Sequence, residues 1–559
     1  MYKKIILNDI NTYLLSKNIQ VKVDLSYSSF GDYHYQSALL FQLKKDNNFD
    51  SQSLIDNLKS TGNYLDVAIT GKGFLSFKLK LTNIPINLET DKQTVIVDYC
   101  GVNVAKKMHI GHIRSMFIGD FVVRSHLAKG DNVISYNHIG DWGNQFGFLL
   151  HYIQKENLVN DLDNKKLTEY YKIAYELYNT SKESKDDNFH KKADQVAFDL
   201  QNYKDDEIHS LWKKCVDISL LDLEETLKEF NLKMQISDTK GESFYAQFGN
   251  DIINDLINQN LAIVDVDNSV YVPLKNDKKI VLKKSNGNFL YALYDLAAIK
   301  WRVENHNPDK IIYVVDKRQS LHFDTVFEIA KQAGYAKPHT NLIHLGFGMI
   351  LGENNKPIKT KEGESLYLSD LLEQGKSVLS KSSHFDKFKE PLKSEILNKT
   401  IIGGLKFYDL KFTKHQDYLF DWNHVLNFTG GSAPYIQNAY VRIDSILFKK
   451  YGFKEPCLNE CDYSSFSSIE NDLFFNSMKT YELINEMTKE YQSQSLTSHL
   501  VALCSLFHKY YESEKILGHL EEGKKLFLID SVKSAIVKGT EILGIETYPC
   551  ISRITALKD

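Results

Sequence analysis

Thr94-Val-Ile-Val-Asp98, running on through Tyr99-Cys-Gly-Val-Asn-Val-Ala-Lys-Lys-Met-His-Ile-Gly-His112, is the stretch that decides the fold. Residues 94–98 are short, apolar and β-branched, as a buried parallel strand is. A loop follows over Tyr99 to Met108. A helix is predicted from about His109, with Ile113, Phe117, Phe121, Val122 and Leu127 on its apolar side and Gly130-Asp131 ending it. Val133-Ile-Ser-Tyr136 predicts the next strand. Strand, helix and strand in about 40 residues make a βαβ unit of a doubly wound, Rossmann-like α/β sheet.

Upstream, residues 1–90 read as a small α+β domain. Met1 to Lys17 suits a helix, and Gly73-Phe-Leu-Ser-Phe-Lys-Leu79 alternates with the period of a half-buried strand. A polar linker from Asn83 to Lys92 carries one proline. Downstream, residues 91–405 hold the doubly wound domain. It is interrupted at about 151–235 by a charged, tyrosine-rich helical insertion in which Leu211, Trp212, Ile218 and Leu221 keep helical spacing. Strand-like runs at Leu261–Val264, Ser269–Val272, Lys279–Leu282 and Ile311–Val315 are expected to complete the second half of the sheet. Residues 406–559 read as an all-α bundle. Tyr435, Ile436, Ala439, Tyr440, Ile443 and Leu447 share one broad face, and Leu496 to Tyr510 and Leu528 to Leu543 repeat that spacing.

At 559 residues the chain is too long for one core and suits three or four domains. Its 43% hydrophobic and 25% charged residues are ordinary for a soluble protein. No apolar run has membrane-spanning length and no signal peptide is evident, so a cytoplasmic protein without a membrane partner is expected. A net charge of −4 does not advertise a nucleic-acid partner, but a large enzyme can gather its lysines on one face. Of six cysteines only Cys457 and Cys461 lie close, with no second pair or nearby histidine to complete a zinc site.

His109-Ile-Gly-His112 sits at the seam between first strand and helix. There, backbone N–H groups and the helix dipole favour anions. Imidazoles add donors for a triphosphate, and Gly111 leaves room for a nucleotide to approach the backbone. Surface histidines or a zinc half-site are the competing readings of the four residues alone. Their place after a buried strand favours nucleotide.

The run from Asp98 to Ser115 resembles the first class I motif of arginyl-tRNA synthetases. So do Asn137-His-Ile-Gly-Asp-Trp-Gly-Asn-Gln-Phe-Gly147, Gly241-Glu-Ser-Phe-Tyr245, Lys317-Arg-Gln-Ser-Leu-His322, Phe420-Asp-Trp422 and Ala433-Pro-Tyr-Ile-Gln-Asn-Ala-Tyr-Val-Arg442, in the family's order. Phe30-Gly-Asp-Tyr33 and Gly73-Phe74 are similar to the family's extra N-terminal domain, which contacts tRNA. The resemblance implies an ATP-dependent arginine–tRNA ligase that forms arginyl-adenylate and diphosphate, then passes arginine to the 3′-terminal ribose of tRNA(Arg). Its partners would be L-arginine, ATP and tRNA(Arg), with Mg²⁺ accompanying ATP, no tightly bound metal and a monomeric chain. His109, Gly111 and His112 would hold ATP, and Lys106 would reach a phosphate. Asp98 and Asn103 would hold the amino-acid end of arginine. Tyr291 and Asp295 would line the side-chain pocket, where a carboxylate faces the guanidinium, and Gln319 would add a contact. Lys359 and Lys361, with Lys356, fall in the candidate second motif, the mobile loop that grips pyrophosphate. The bundle would bind the anticodon, with Tyr435, Asn438, Tyr440 and Arg442 as candidates.

The sequence departs from the family at Cys100-Gly101-Val102, at Lys107, at Leu293-Tyr294 and over Ile551 to Asp559. These departures motivate two other readings: a paralogue that binds tRNA or nucleotide without charging, and a ligase tolerant of arginine analogues. A metal hydrolase built on His109 and His112 is the remaining alternative.

Overall fold

The computed structural model describes residues 2–28, 33–43, 49–80, 92–184, 188–275, 278–352, 356, 358, 366–454, 465–550 and 552–553. Lys359, Lys361, Cys457, Cys461 and Phe30 to Asp32 lie outside the described residues.

Strand Thr94–Asp98 is central in a four-stranded parallel sheet. Asn132–Tyr136 flanks it on one side, and Lys310–Tyr313 then Asn341–His344 lie on the other. Val95, Ile96 and Val97 are fully buried, which explains their unbroken apolar character. The chain leaves the first strand toward Asn132–Tyr136 but returns on the opposite edge. The topological switch point therefore falls between Asp98 and Tyr313, which are paired in register. Loops that leave neighbouring strand ends in opposite directions open a cleft there.

The helix after the first strand is Ile113–Lys129, preceded by a 3₁₀ turn at Ile110–His112 and ended by Gly130 at φ 91°. Leu127, expected on its apolar side, is 46% exposed, and Leu221 in the insertion is 64% exposed. Each lies beside the packed face, where the apolar spacing runs wider than the contact. The insertion consists of helices Asn164–Glu183, Phe189–Gln201 and Asp206–Glu229, which follow helix Asn144–Lys155.

The second half of the sheet differs from expectation. Among the described residues, only Lys310–Tyr313 and Asn341–His344 join it there. Ile263–Val264, Val270–Pro273 and Lys279–Lys283 form a separate antiparallel sheet. Short connections favour antiparallel pairing between them, since a parallel pair needs a long crossover. Ile263 and Val264 also stay about half exposed, unlike strands covered on both faces.

Before the parallel sheet, helices Tyr2–Ser16 and Ser51–Ser60 pack on an antiparallel four-stranded sheet in which Phe74–Leu79 is central. Leu75, Phe77 and Leu79 point into that core, as their alternation predicts. This N-terminal unit docks on helix Ser468–Glu490 of the C-terminal bundle. Glu482 of that helix accepts from Tyr2 N (2.8 Å), Tyr27 Oη (3.2 Å) and Tyr35 Oη, and His34 stacks on Phe475 at 4.0 Å. The bundle also contains Ala433–Tyr451, Ser493–Ser513 and Glu522–Ile542, which carry the three apolar faces read from the sequence. Ser432 caps the first of these helices, with Pro434 in its first turn. Among the described residues, no helix is long and apolar enough to cross a membrane.

Candidate active site

The histidine motif is wired to itself. The ring Nδ1 of His109 accepts from Gly111 N at 3.1 Å, and the ring Nδ1 of His112 accepts from His109 N at 3.0 Å. With Nδ1 occupied as acceptor, the neutral His109 ring carries its proton on Nε2 and becomes a donor there, whereas His112 Nδ1 also lies 3.2 Å from His109 O and its ring can hold the proton on either nitrogen. Burial pushes His112 down to about 3, reinforced by His109 and Lys106, and burial then Lys106 also lower His109. Both rings are therefore neutral donors at physiological pH, standing at the N-terminus of a 17-residue helix. From the sequence, Gly111 is expected to make room for a nucleotide. A Cβ there would lie 2.8 Å from His109 Cε1, so the space it leaves is first of all for the His109 ring.

The motif is tied to the far end of the candidate lysine loop. Ile110 N donates to Leu366 O at 2.9 Å, and Leu368 N donates to Met108 O at 3.1 Å. Lys106 rests its ammonium 4.2 Å from the ring centroid of Tyr171 in the insertion, and burial lowers its pKa. Lys356 is exposed.

At the switch point, lined in part by the loop that leads from the first strand to the motif, lies a cavity of about 410 Å³. Asp98, Asn103, Tyr291, Asp295 and Gln319 all line it, so five residues spread over more than 200 positions converge. The Asn103 side chain enters because Gly140 is bare: a Cβ on Gly140 would stand 2.2 Å from Asn103 Oδ1. Tyr291 opens helix Tyr291–His306 and stays 68% exposed at the mouth, one turn before Asp295.

Three further side chains that line the cavity, Glu242, His138 and His322, escaped the sequence reading. Glu242 is buried, and burial with the charges of Asp141 and Asp295 raises its pKa well above the usual carboxylate range. Asp141 positions it by accepting from Ser243 N at 2.9 Å and from the Ser243 hydroxyl. His138 stacks on Tyr245 at 5.1 Å between ring centroids. His322 Nε2 lies 2.6 Å from Asp295 Oδ2. Beneath the lining, Arg302 is fully buried, with Nη2 2.7 Å from Asp98 Oδ2 and its guanidinium carbon 4.8 Å from the Tyr136 ring and 5.5 Å from that of Tyr313. Asp98, read as a contact for the amino-acid end, is thus already engaged with an internal guanidinium. Glu242 and His322 did stand inside quoted motifs; nothing in their spacing singled them out.

In the bundle, Tyr435 packs edge-on against His508 at 5.2 Å, and Arg442 reaches His508 Nδ1 at 3.3 Å and the Tyr511 ring at 5.2 Å. Asn438 is half-buried on the same helix. Tyr440 turns instead toward Lys533, 5.3 Å from its ring, so the four candidates do not share one surface. Among the described residues, no group of three His, Cys, Asp or Glu is placed to hold a metal ion.

The chain matches known proteins along nearly its whole length. Residues 79–422 match the family described as tRNA synthetases class I (R), catalytic domain, and residues 436–549 match the DALR anticodon binding domain. The arginine–tRNA ligase of Wigglesworthia glossinidia brevipalpis is 33% identical over 97% of this chain and 98% of its own. That of Pasteurella multocida is 33% identical over 93% and 96%. The chain belongs to the class I arginyl-tRNA synthetases. Its fold is that of the arginyl-tRNA synthetase structures from Plasmodium falciparum (24% identity, TM-score 0.79, 98% of each chain) and Thermus thermophilus (19%, 0.78, 99% and 100%).

Proposed function

We propose that the protein is an arginine–tRNA ligase, which activates arginine with ATP and transfers it to the 3′-terminal ribose of tRNA(Arg). The observation that carries this reading is the convergence of Asp98, Asn103, Glu242, Tyr291, Asp295 and Gln319 on one cavity at the switch point, with Asn103 on the loop that leads to the histidine motif. A guanidinium offers five donors in one plane and needs an anionic acceptor in that plane, which Asp295 supplies, with Glu242 as a second acceptor beside it. Ring N–H groups of His109 and His112 donate to phosphate oxygens and stabilise charge on the leaving diphosphate, with Lys106 as a further cation. The arginine carboxylate attacks the α-phosphate, and positioning replaces any covalent enzyme intermediate. Mg²⁺ arrives with ATP. Lys359 and Lys361 grip the diphosphate. Tyr435, Arg442, His508 and Tyr511 meet unstacked anticodon-loop bases, with Asn438 and Tyr440 on the flanks. The enzyme acts in the cytoplasm as a monomer, with residues 1–90, 91–405 and 406–559 as its tRNA-contacting, catalytic and anticodon-binding domains.

Gly101 lines the cavity and brings no side chain to it, and this favours tolerance of arginine analogues as a second reading. The test is charging of total tRNA with labelled arginine, lysine and glutamine in parallel, beside a His112→Ala control. Charging with arginine alone, lost in the control, supports the ligase. No charging despite tight tRNA binding overturns it. Adding analogues in competition tests the second reading.

A further inference from the structure

Every carboxylate at the cavity is already compensated before substrate arrives. Asp98 is ion-paired with Arg302. Glu242 is held toward its protonated form by burial and by its acidic neighbours. Asp295, on helix Tyr291–His306, has Oδ2 taken by His322, which comes from the separate helix Ser320–Gln332. A site built to receive a guanidinium therefore holds a cation or a proton against each of its acids.

We propose that His322 is a positioning residue for arginine. Its Nε2–H fixes Asp295 with Oδ1 left open for the guanidinium, and its protonated form competes with the incoming cation. The proposal rests on the reading of this cavity as the arginine site. Geometry carries it: a 2.6 Å contact between side chains of two helices, both lining the same cavity. His322 is 28% exposed, open enough to exchange its proton with solvent. Its environment agrees. Burial alone would lower its pKa, but the hydrogen bond and charge of Asp295 outweigh burial and leave it raised. The other groups facing the pair are Glu242 from its short helix, His138 from the loop after the second strand, and Asp98 and Tyr313 from the sheet. Arg302 approaches from below on the helix of Asp295. Burial lowers His138, so it is a neutral neighbour near pH 7. Phe323 closes one side of the His322 ring at 5.3 Å.

The sign follows from the charge. A neutral His322 orients Asp295 without adding positive charge. A protonated one places a cation beside the guanidinium's acceptor, so arginine binds more weakly as pH falls. Because one proton is linked, KM for arginine can change by at most about tenfold per pH unit.

The experiment compares aminoacylation by the wild-type enzyme, His322→Gln and His322→Leu between pH 6 and pH 8.5, separating kcat from KM for arginine. The glutamine amide can donate from the place of Nε2 but cannot titrate. Wild type is expected to show a KM that rises toward pH 6, with kcat changing less. His322→Gln should keep a low KM at pH 8 and lose most of the rise. His322→Leu should raise KM about tenfold or more at every pH, with a thermal midpoint near wild type. A His322→Gln enzyme with the full wild-type slope, or a His322→Leu enzyme with unchanged KM, would overturn the proposal. If His322→Leu does not fold, the slope of His322→Gln still decides. Absence of arginine charging by the wild type at any pH would instead sink the ligase reading, and this proposal with it.

Discussion

Arg114, two residues beyond His112, is ion-paired with Asp409, Nε to Oδ1 at 3.1 Å, with both side chains buried. Arg114 Nη1 also donates to Gln416 O at 2.6 Å, and Tyr418 Oη donates to Asp409 at 2.7 Å. The helix that opens on the histidine motif is thereby bolted to helix Leu392–Leu410, which leads into the bundle. Removing one partner leaves a buried charge alone. Arg114→Met or Asp409→Leu is expected to cost about 3–5 kcal/mol, and the double variant to recover part of that loss. Denaturation midpoints of the three variants check this. Equal and additive losses would contradict it.

Gly111→Ala forces a methyl against His109 Cε1. The ring must swing, and with it goes the Nδ1 acceptor that fixes the donor at Nε2. KM for ATP is expected to rise and kcat to fall, together by tenfold or more, while arginine KM changes little. Steady-state charging kinetics with each substrate varied read this out directly.

Glu242→Gln tests whether that acid serves the ligand or the fold. Burial and its acidic neighbours push the Glu242 pKa well above the usual carboxylate range and so disfavour its anion in the empty cavity; an amide of the same shape should therefore leave the thermal midpoint of the ligand-free protein at pH 7 unchanged or slightly higher. KM for arginine should nevertheless rise, because the amide cannot become the anion that a guanidinium calls for. A lowered midpoint with unchanged KM would assign Glu242 to the fold alone.

Stability in acid should fail early. Burial lowers His34, His112 and His499 to about 3, against an ordinary 6.5 in the unfolded chain. Between those values the unfolded state binds more protons, so folding stability is full above about 6.5 and declines as pH falls toward 3. Thermal midpoints measured from pH 7 to pH 4 should drop across that range. His499→Gln keeps a donor near Thr480 and Asn476 but cannot charge, and its drop should be shallower.

The central parallel unit was legible because three signals agreed there: a β-branched run, an apolar helical face and a glycine stop, at Val95–Val97, Ile113–Val122 and Gly130. The bundle helices were legible for the same reason of period. The strands at 263–283 were misassigned because a short apolar run does not state which partner it pairs with. Within the site, Asp98, Asn103, Tyr291, Asp295 and Gln319 came from family motifs, and the cavity gathers them. Arg302 left no trace in the sequence. It is one charge on an apolar helix face, and only the tertiary meeting of Asp98 with the rings of Tyr136, Tyr245 and Tyr313 gives it a place. His322 was likewise invisible as a partner of Asp295, since 27 residues separate them along the chain.

The clasp on Glu482 bears on how this chain can be cut. Three hydroxyl or amide donors from residues 2–35 converge on that one carboxylate of the bundle. A truncated protein starting near residue 92 would strip them away together and leave an acid facing the bare flank of Phe475. The first and last parts of the chain are thus halves of a single buckle. A fragment lacking the first half is a damaged version of the remainder, so any loss of tRNA charging on truncation has to be judged against the bundle's own stability before it is blamed on missing RNA contacts.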